Sequence, residues 1–217
     1  MKYKRLMRMA LIFCLLGGCS SPAPAASETP ADPAAVSEED SGRVLIVYFS
    51  RAGENWEVGN VAKGNTQIAV EIIAGETGYD TFRIRTVREY PLSYQEMLDV
   101  AAEEQKNNER PELREEIENF DDYGTILLGY PIWWADMPMA VYTFLESYDF
   151  TGKTVYPFNT HAGSGEAGTV SKIREVIPDA DVHDGLAITG KDTQNDPDKV
   201  RGILQGWLRE NGLTAGE

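Results

Sequence analysis

The chain has 217 residues, room for one globular domain and an appendage, and its 35 acidic against 20 basic side chains give a formal charge of −15. Such a chain is repelled by nucleic acids and by anionic lipid surfaces, which excludes DNA and RNA binding. Its two cysteines, Cys14 and Cys19, both fall in the first 19 residues, so the remainder can form no disulfide, thiol nucleophile or thiolate metal site.

Lys2, Lys4, Arg5 and Arg8 precede an apolar stretch over residues 10–16, followed by Gly17-Gly18-Cys19. A basic start and an apolar run too short to span a bilayer describe a signal peptide. Residues 20–42 are Ser, Pro, Ala, Glu, Asp and Thr with almost nothing to bury, and they read as a disordered tether. The globular part is expected over residues 43–217.

Residues 44–49, Val-Leu-Ile-Val-Tyr-Phe, are continuously apolar, as expected for a parallel strand buried on both faces. The loop after it, Ser50-Arg51-Ala52-Gly53-Glu54-Asn55, leads through residues 54–63 to Gly64-Asn65-Thr66, which opens a helix carrying Ile68, Ile72 and Ile73. Backbone N–H groups at a helix start, with hydroxyls beside them, suit a phosphate; a capped helix after a loop would look the same. Between Ser50 and Thr66 neither G-x-G-x-x-G nor a Walker A pattern occurs. An outer strand is expected over residues 80–87, a polar-faced helix over 94–108, and a short helix from Pro111 with Leu113, Ile117 and Phe120 on one face.

Thr125-Ile126-Leu127-Leu128-Gly129-Tyr130-Pro131-Ile132-Trp133-Trp134 begins as a second doubly buried strand and ends in adjacent tryptophans. Either ring can wall a flat aromatic ligand, or both can pack under the loop. A helix follows from Pro138. The fourth strand, residues 154–159, carries Pro157 and runs into Thr160-His161-Ala162-Gly163-Ser164-Gly165, a small-residue loop before a helix over 168–177. Residues 184–188 make a fifth strand. Residues 197–211 form the last helix, with Val200, Ile203, Leu204, Trp207 and Leu208 at core spacing.

Strands alternating with helices predict an α/β fold, a doubly wound five-stranded parallel sheet with helices on both faces and right-handed crossovers. In the order 2-1-3-4-5 the first, third and fourth strands are adjacent, and their three unusual loops meet at the switch-point crevice where open α/β sheets bind ligands.

These four segments, residues 48–55, 64–66, 129–134 and 160–165, resemble the flavodoxin-like family over about residues 43–211, in particular its secreted or lipoprotein branch. Leu16-Gly17-Gly18-Cys19 likewise resembles a bacterial lipobox, in which the peptide is cut before a cysteine that then carries lipid. The resemblance implies FMN at the carboxyl edge of the sheet. Ser50, Asn65 and Thr66 would hold its phosphate, with Ala52 and Gly53 in the same loop. Pro131, Ile132, Trp133 and Trp134 would line the isoalloxazine. Thr160, His161, Gly163, Ser164 and Gly165 would form the third flavin loop. The family's phosphate loop is compact, whereas residues 54–63 intervene here. His161 either bonds the ring or donates a proton, or is a surface loop residue; His183 reads as structural or exposed. No metal site is expected.

The expected function is an FMN-binding electron-transfer lipoprotein tethered outside the cytoplasmic membrane, touching the membrane through its lipid alone and exchanging electrons with a partner protein or a quinone. An FMN-dependent reductase of quinones or similar molecules, and a binding module that has lost the cofactor, are the alternatives. Glu54, Glu57, Asp136 and Glu166 in or beside the loops are expected to repel polyanionic dinucleotides.

Overall fold

A computed structural model describes residues 42–214. The signal peptide, Cys19 and nearly all of the tether lie outside these described residues. Strand β1 (Arg43–Phe49) pairs in parallel with both β4 (Asp80–Ile84) and β5 (Tyr123–Pro131), and β5 pairs in parallel with β6 (Thr154–His161). The edge position beside β6 is shared by two short strands, β7 (Asp181–Val182) and β8 (Leu186–Thr189). The order β4-β1-β5-β6-β7 is the expected 2-1-3-4-5.

The lack of alternation in the first and third strands has a direct cause. Leu45, Val47, Phe49, Ile126, Leu128 and Tyr130 pack on one face against α3 (Met139–Ser147) and α4 (Thr169–Val176). Ile46, Tyr48 and Leu127 pack on the other against α1 (Asn65–Thr77) and α6 (Pro197–Glu210). Successive side chains of one strand thus serve two cores, each large buried side chain contributing about 1.5–3 kcal/mol.

One stretch without a predicted structure acquires one, and three local readings are corrected. Residues 54–63 form an antiparallel hairpin, β2 (Gly53–Asn55) and β3 (Gly59–Val61), turning at Glu57 and Gly59, both with positive φ. The helix expected from Pro111 is absent. The segment instead lies antiparallel beside the end of β4, with Val87 N–H donating to Glu112 O (2.9 Å) and Arg114 N–H to Arg85 O (2.8 Å). Those bonds pair the backbone just beyond β4, which would otherwise lie open at the sheet edge. Leu113 and Ile117 still reach the core, from an extended backbone.

The fifth strand is broken, since His183, Asp184 and Gly185 fall between β7 and β8. Val155 O accepts from His183 N–H (2.9 Å), so Pro157, two residues on, faces the same edge at the break, where its missing donor costs nothing. Ile203, at the flank of the apolar arc of α6, is 38% exposed, while Val200, Leu204, Trp207 and Leu208 are buried. The short helix α5 (Gly190–Asn195) follows β8 directly.

Candidate active site: a cleft at the carboxyl edge of the sheet

A cleft of about 260 Å³ opens at the carboxyl ends of the central strands. Its wall comes from the loop after β1, the starts of α1 and of α2 (Tyr94–Asn107), the loops after β5 and β6, and the turn from β8 into α5.

One end is built for an anion. Gly64 caps α1 without a side-chain bond, and the first turn carries no acid. The leading N–H groups of a helix have no partner within it. That of Gln67 is taken by Ser50 Oγ (3.1 Å), which leaves those of Asn65 and Thr66 to a ligand. A Cβ at Gly64 would stand 2.3 Å from Arg51 O and 2.4 Å from Ser50 Oγ, so only glycine lets the helix start this close to the strand end. Thr66 Oγ1 and Thr160 Oγ1 share a buried hydrogen bond (2.9 Å) joining α1 to β6. One hydroxyl donates to the other, whose own proton stays available. Asn65 is held from below, its Oδ1 accepting from Gln194 Nε2 (2.9 Å). Lys191 brings a cation to the same cleft; neighbouring Asp192 is already paired with Lys199 (2.8 Å).

The other end is aromatic. Trp133 is half-buried, edge-on to Phe49 (centroids 5.3 Å) and Tyr90 (5.1 Å). Trp133 and Asp136 exchange backbone hydrogen bonds of 2.7 and 2.9 Å across a tight turn. Trp134 and Ala135 within it both have positive φ (51° and 58°), a conformation that costs residues with a Cβ on the order of 1–3 kcal/mol each. The turn sends Trp134 outward, 53% exposed, with Nε1 donating to Leu98 O (3.0 Å). Trp56, at the hairpin tip and 61% exposed, lies 5.9 Å from Tyr94. His161 Nδ1 accepts from Gly163 N–H (3.0 Å), so the neutral ring carries its proton on Nε2. Burial holds this imidazole below the usual histidine range.

Of the residues singled out from sequence, Ser50, Asn65, Thr66, Pro131, Ile132, Trp133, Trp134, Thr160 and His161 line this cleft. Ala52 faces a different cleft, and Gly53 packs against Leu92. Gly163, Ser164 and Gly165 lie in the turn beyond the cleft wall, where Gly163 and Gly165 take positive φ. Trp56, Tyr94, Met97, Leu98 and Lys191 were missed. A lone tryptophan between Asn55 and Glu57 was the available signal for the hairpin wall. Lys191 gave none, because the end of the broken fifth strand could not be located.

Of the four rim carboxylates, Asp136 alone is paired with a cation among the described residues. Glu54 Oε2 accepts from Tyr94 N–H (3.0 Å) at the start of α2. Asp136 pairs with Lys172 (2.6 Å), and Glu166 accepts from Gly168 and Val170 N–H at the start of α4. Glu57 is the carboxylate in the cleft wall among the described residues.

An anion end and an aromatic end at this edge of a 2-1-3-4-5 sheet match what the family comparison finds: a family model described as Flavodoxin covers residues 43–201. The chain belongs to the flavodoxin family. Among solved structures, this flavodoxin-family chain is similar to a candidate flavoprotein from Bacteroides eggerthii, with 26% identity, 77% of this chain and 96% of that one covered, and a TM-score of 0.62. A second, from Bacteroides uniformis, has 26% identity, covers 76% and 98%, and has a TM-score of 0.61. A flavoprotein from Lactobacillus acidophilus, solved in complex with FMN, shares the fold at 22% identity, covering 72% and 98%, with a TM-score of 0.56. No curated protein matches.

Proposed function

We propose that this member of the flavodoxin family binds FMN and transfers electrons outside the cytoplasmic membrane, held there by lipid on Cys19 as in the secreted, lipid-anchored branch. One observation carries the cofactor: loops far apart in sequence bring an anion-binding end and an aromatic end into a single cleft. The donor set fits FMN, with one phosphate-type end in the cleft and the Gly163–Gly168 glycines outside its wall.

The bound flavin supplies the redox chemistry. The phosphate is held by the free N–H groups of Asn65 and Thr66 and the hydroxyls of Ser50 and Thr66, with Lys191 balancing charge. Trp133, fixed by Phe49 and Tyr90, would orient the ring system and exclude water from the cleft wall. His161 offers an Nε2–H to a carbonyl or ring nitrogen and, being neutral, brings no charge. Trp56 and Trp134, exposed at the mouth, would be the residues a partner protein or quinone meets on approaching the cleft.

The test is an absorbance spectrum of the purified chain, with the released cofactor identified by chromatography. FMN is expected; FAD, or no flavin after reconstitution, defeats the proposal. For the anchor, Cys19→Ser should release the protein from membranes or block its processing, and a fully membrane-associated variant would contradict it.

A further inference from the structure

We propose that a second cleft, on the other side of the loop after β1, binds an oxyanion, the carboxylate or phosphate group of a small molecule. This cleft, of about 290 Å³, lies at the ends of β1 and β4 and shares Ser50 and Arg51 with the flavin cleft as a common wall. Four guanidinium groups line it, those of Arg51, Arg83, Arg85 and Arg114, against one carboxylate, Glu89. In a chain of formal charge −15 that concentration of cations is against the average.

The two outer arginines are neutralised at the exposed rim, Arg85 by Glu115 (2.5 Å) and Arg114 by Glu89 (2.9 Å). The two inner ones have no carboxylate partner among the described residues. Arg51 is 7% exposed and gives its terminal N–H groups to the backbone carbonyls of Ala52, Pro91, Leu92 and Glu54. Arg83 Nη2 donates to Ser50 O (2.9 Å). Carbonyl oxygens satisfy donors but carry no net charge, so Arg83 is left without a paired anion and Arg51 with only the field of Glu54.

The Nε–H groups make the same point independently. Among the described residues four buried side-chain nitrogen and oxygen atoms lack a partner: the Nε of Arg51, the Nε of Arg83, and both amide atoms of Asn159. A buried donor left unpaired is costly, and the guanidinium cannot shed its proton to avoid the cost. The uncompensated burial of these guanidinium groups favours an anion beside them, and Arg83, whose Nη1 makes no hydrogen bond among the described residues, keeps a free donor whose fork matches the oxygens of a carboxylate or phosphate. Of the donors assigned to the flavin phosphate, Asn65, Thr66 and Lys191 line the first cleft alone and Ser50 stands in the shared wall, while Arg83 lines only the second.

The test follows the arginine Nε–Hε signals of the ¹⁵N-labelled full-length chain by NMR. Sodium benzoate and sodium phosphate are titrated separately at constant ionic strength, balanced with chloride. Both titrations are run with and without added FMN, so a failure of the chain to hold flavin leaves the result readable. Saturable shifts of Arg51 and Arg83 Hε with either probe support the site, and the tighter probe assigns carboxylate or phosphate. Arg83→Met should weaken that binding about tenfold or more, by loss of a charge-assisted contact. The rim pair Arg85→Gln with Arg114→Gln, exposed and harmless to folding, should weaken it about two- to fivefold through lost field. Linear shifts no larger than those with chloride, or shifts confined to Asn65 and Gln67 at the flavin phosphate end, would overturn the proposal.

Discussion

The two ends of the flavin cleft are made differently. At the anion end the strand and helix meet with no room for a methyl group at Gly64, and Ser50, Thr66 and Thr160 are almost wholly buried. At the aromatic end Trp56 and Trp134 are more than half exposed, one on a hairpin and one on a turn of two left-handed residues. A donor set fixed by packing requires no reorganisation when a ligand arrives, which favours affinity. Exposed rings on loops favour access. We therefore expect affinity to reside at the anion end and electron exchange at the aromatic end.

The largest effect should come from Gly64→Ala. Its new methyl meets backbone, which cannot move aside cheaply, so we expect about 1–3 kcal/mol of destabilisation. FMN affinity should fall about 100-fold, or ~2.7 kcal/mol. Urea unfolding of the flavin-free protein and a fluorescence titration measure the two. Near-normal FMN affinity would end the assignment of affinity to this end.

Trp133→Ala comes next. It should lose most of the quenching of tryptophan emission by FMN, and about 0.5–1.5 kcal/mol of ring–ring attraction beyond lost burial. Trp56→Ala, a surface change, should move affinity by no more than about 0.5 kcal/mol while altering the rate of electron exchange. If Trp56→Ala weakens FMN as much as Gly64→Ala, the division between the ends collapses.

Lys191→Gln sharpens the contrast, because it acts on charge alone. It should cost roughly 0.2–1 kcal/mol for FMN and nothing for riboflavin, which lacks the phosphate, and the difference should shrink as salt is raised. Equal losses for the two flavins would take Lys191 out of the phosphate end.

The smallest effect is pH-dependent. An unfolded histidine takes its proton as pH falls through about 6.5, whereas folded His161 takes it only at lower pH. The unfolded state then binds more protons, so stability present above that value is lost as pH falls toward the folded one. Thermal melts of the protein and of His161→Gln should diverge as pH is lowered through this window; parallel curves would show that His161 titrates normally.

The residues of β1 and β5 determined the layering of the sheet by themselves, because an unbroken apolar run is buried with helices on both faces, and the flavodoxin-like order 2-1-3-4-5 is one of the few that doubly wound sheets adopt. That order brought Ser50, Thr66, Trp133 and Thr160 to one crevice before any contact was known. Tertiary structure decided what local pattern cannot carry. Leu113, Ile117 and Phe120 have helical spacing, yet the backbone there pairs with the chain just beyond β4, since an open sheet edge offers hydrogen bonds a short helix would forgo. Glu54, Asp136 and Glu166 look alike as charges in a sequence, and only folding sets two of them on helix starts and pairs the third with Lys172. Lys191 and Arg83 reach their clefts from distant strand ends, and such meetings depend on register and strand breaks that no residue announces locally.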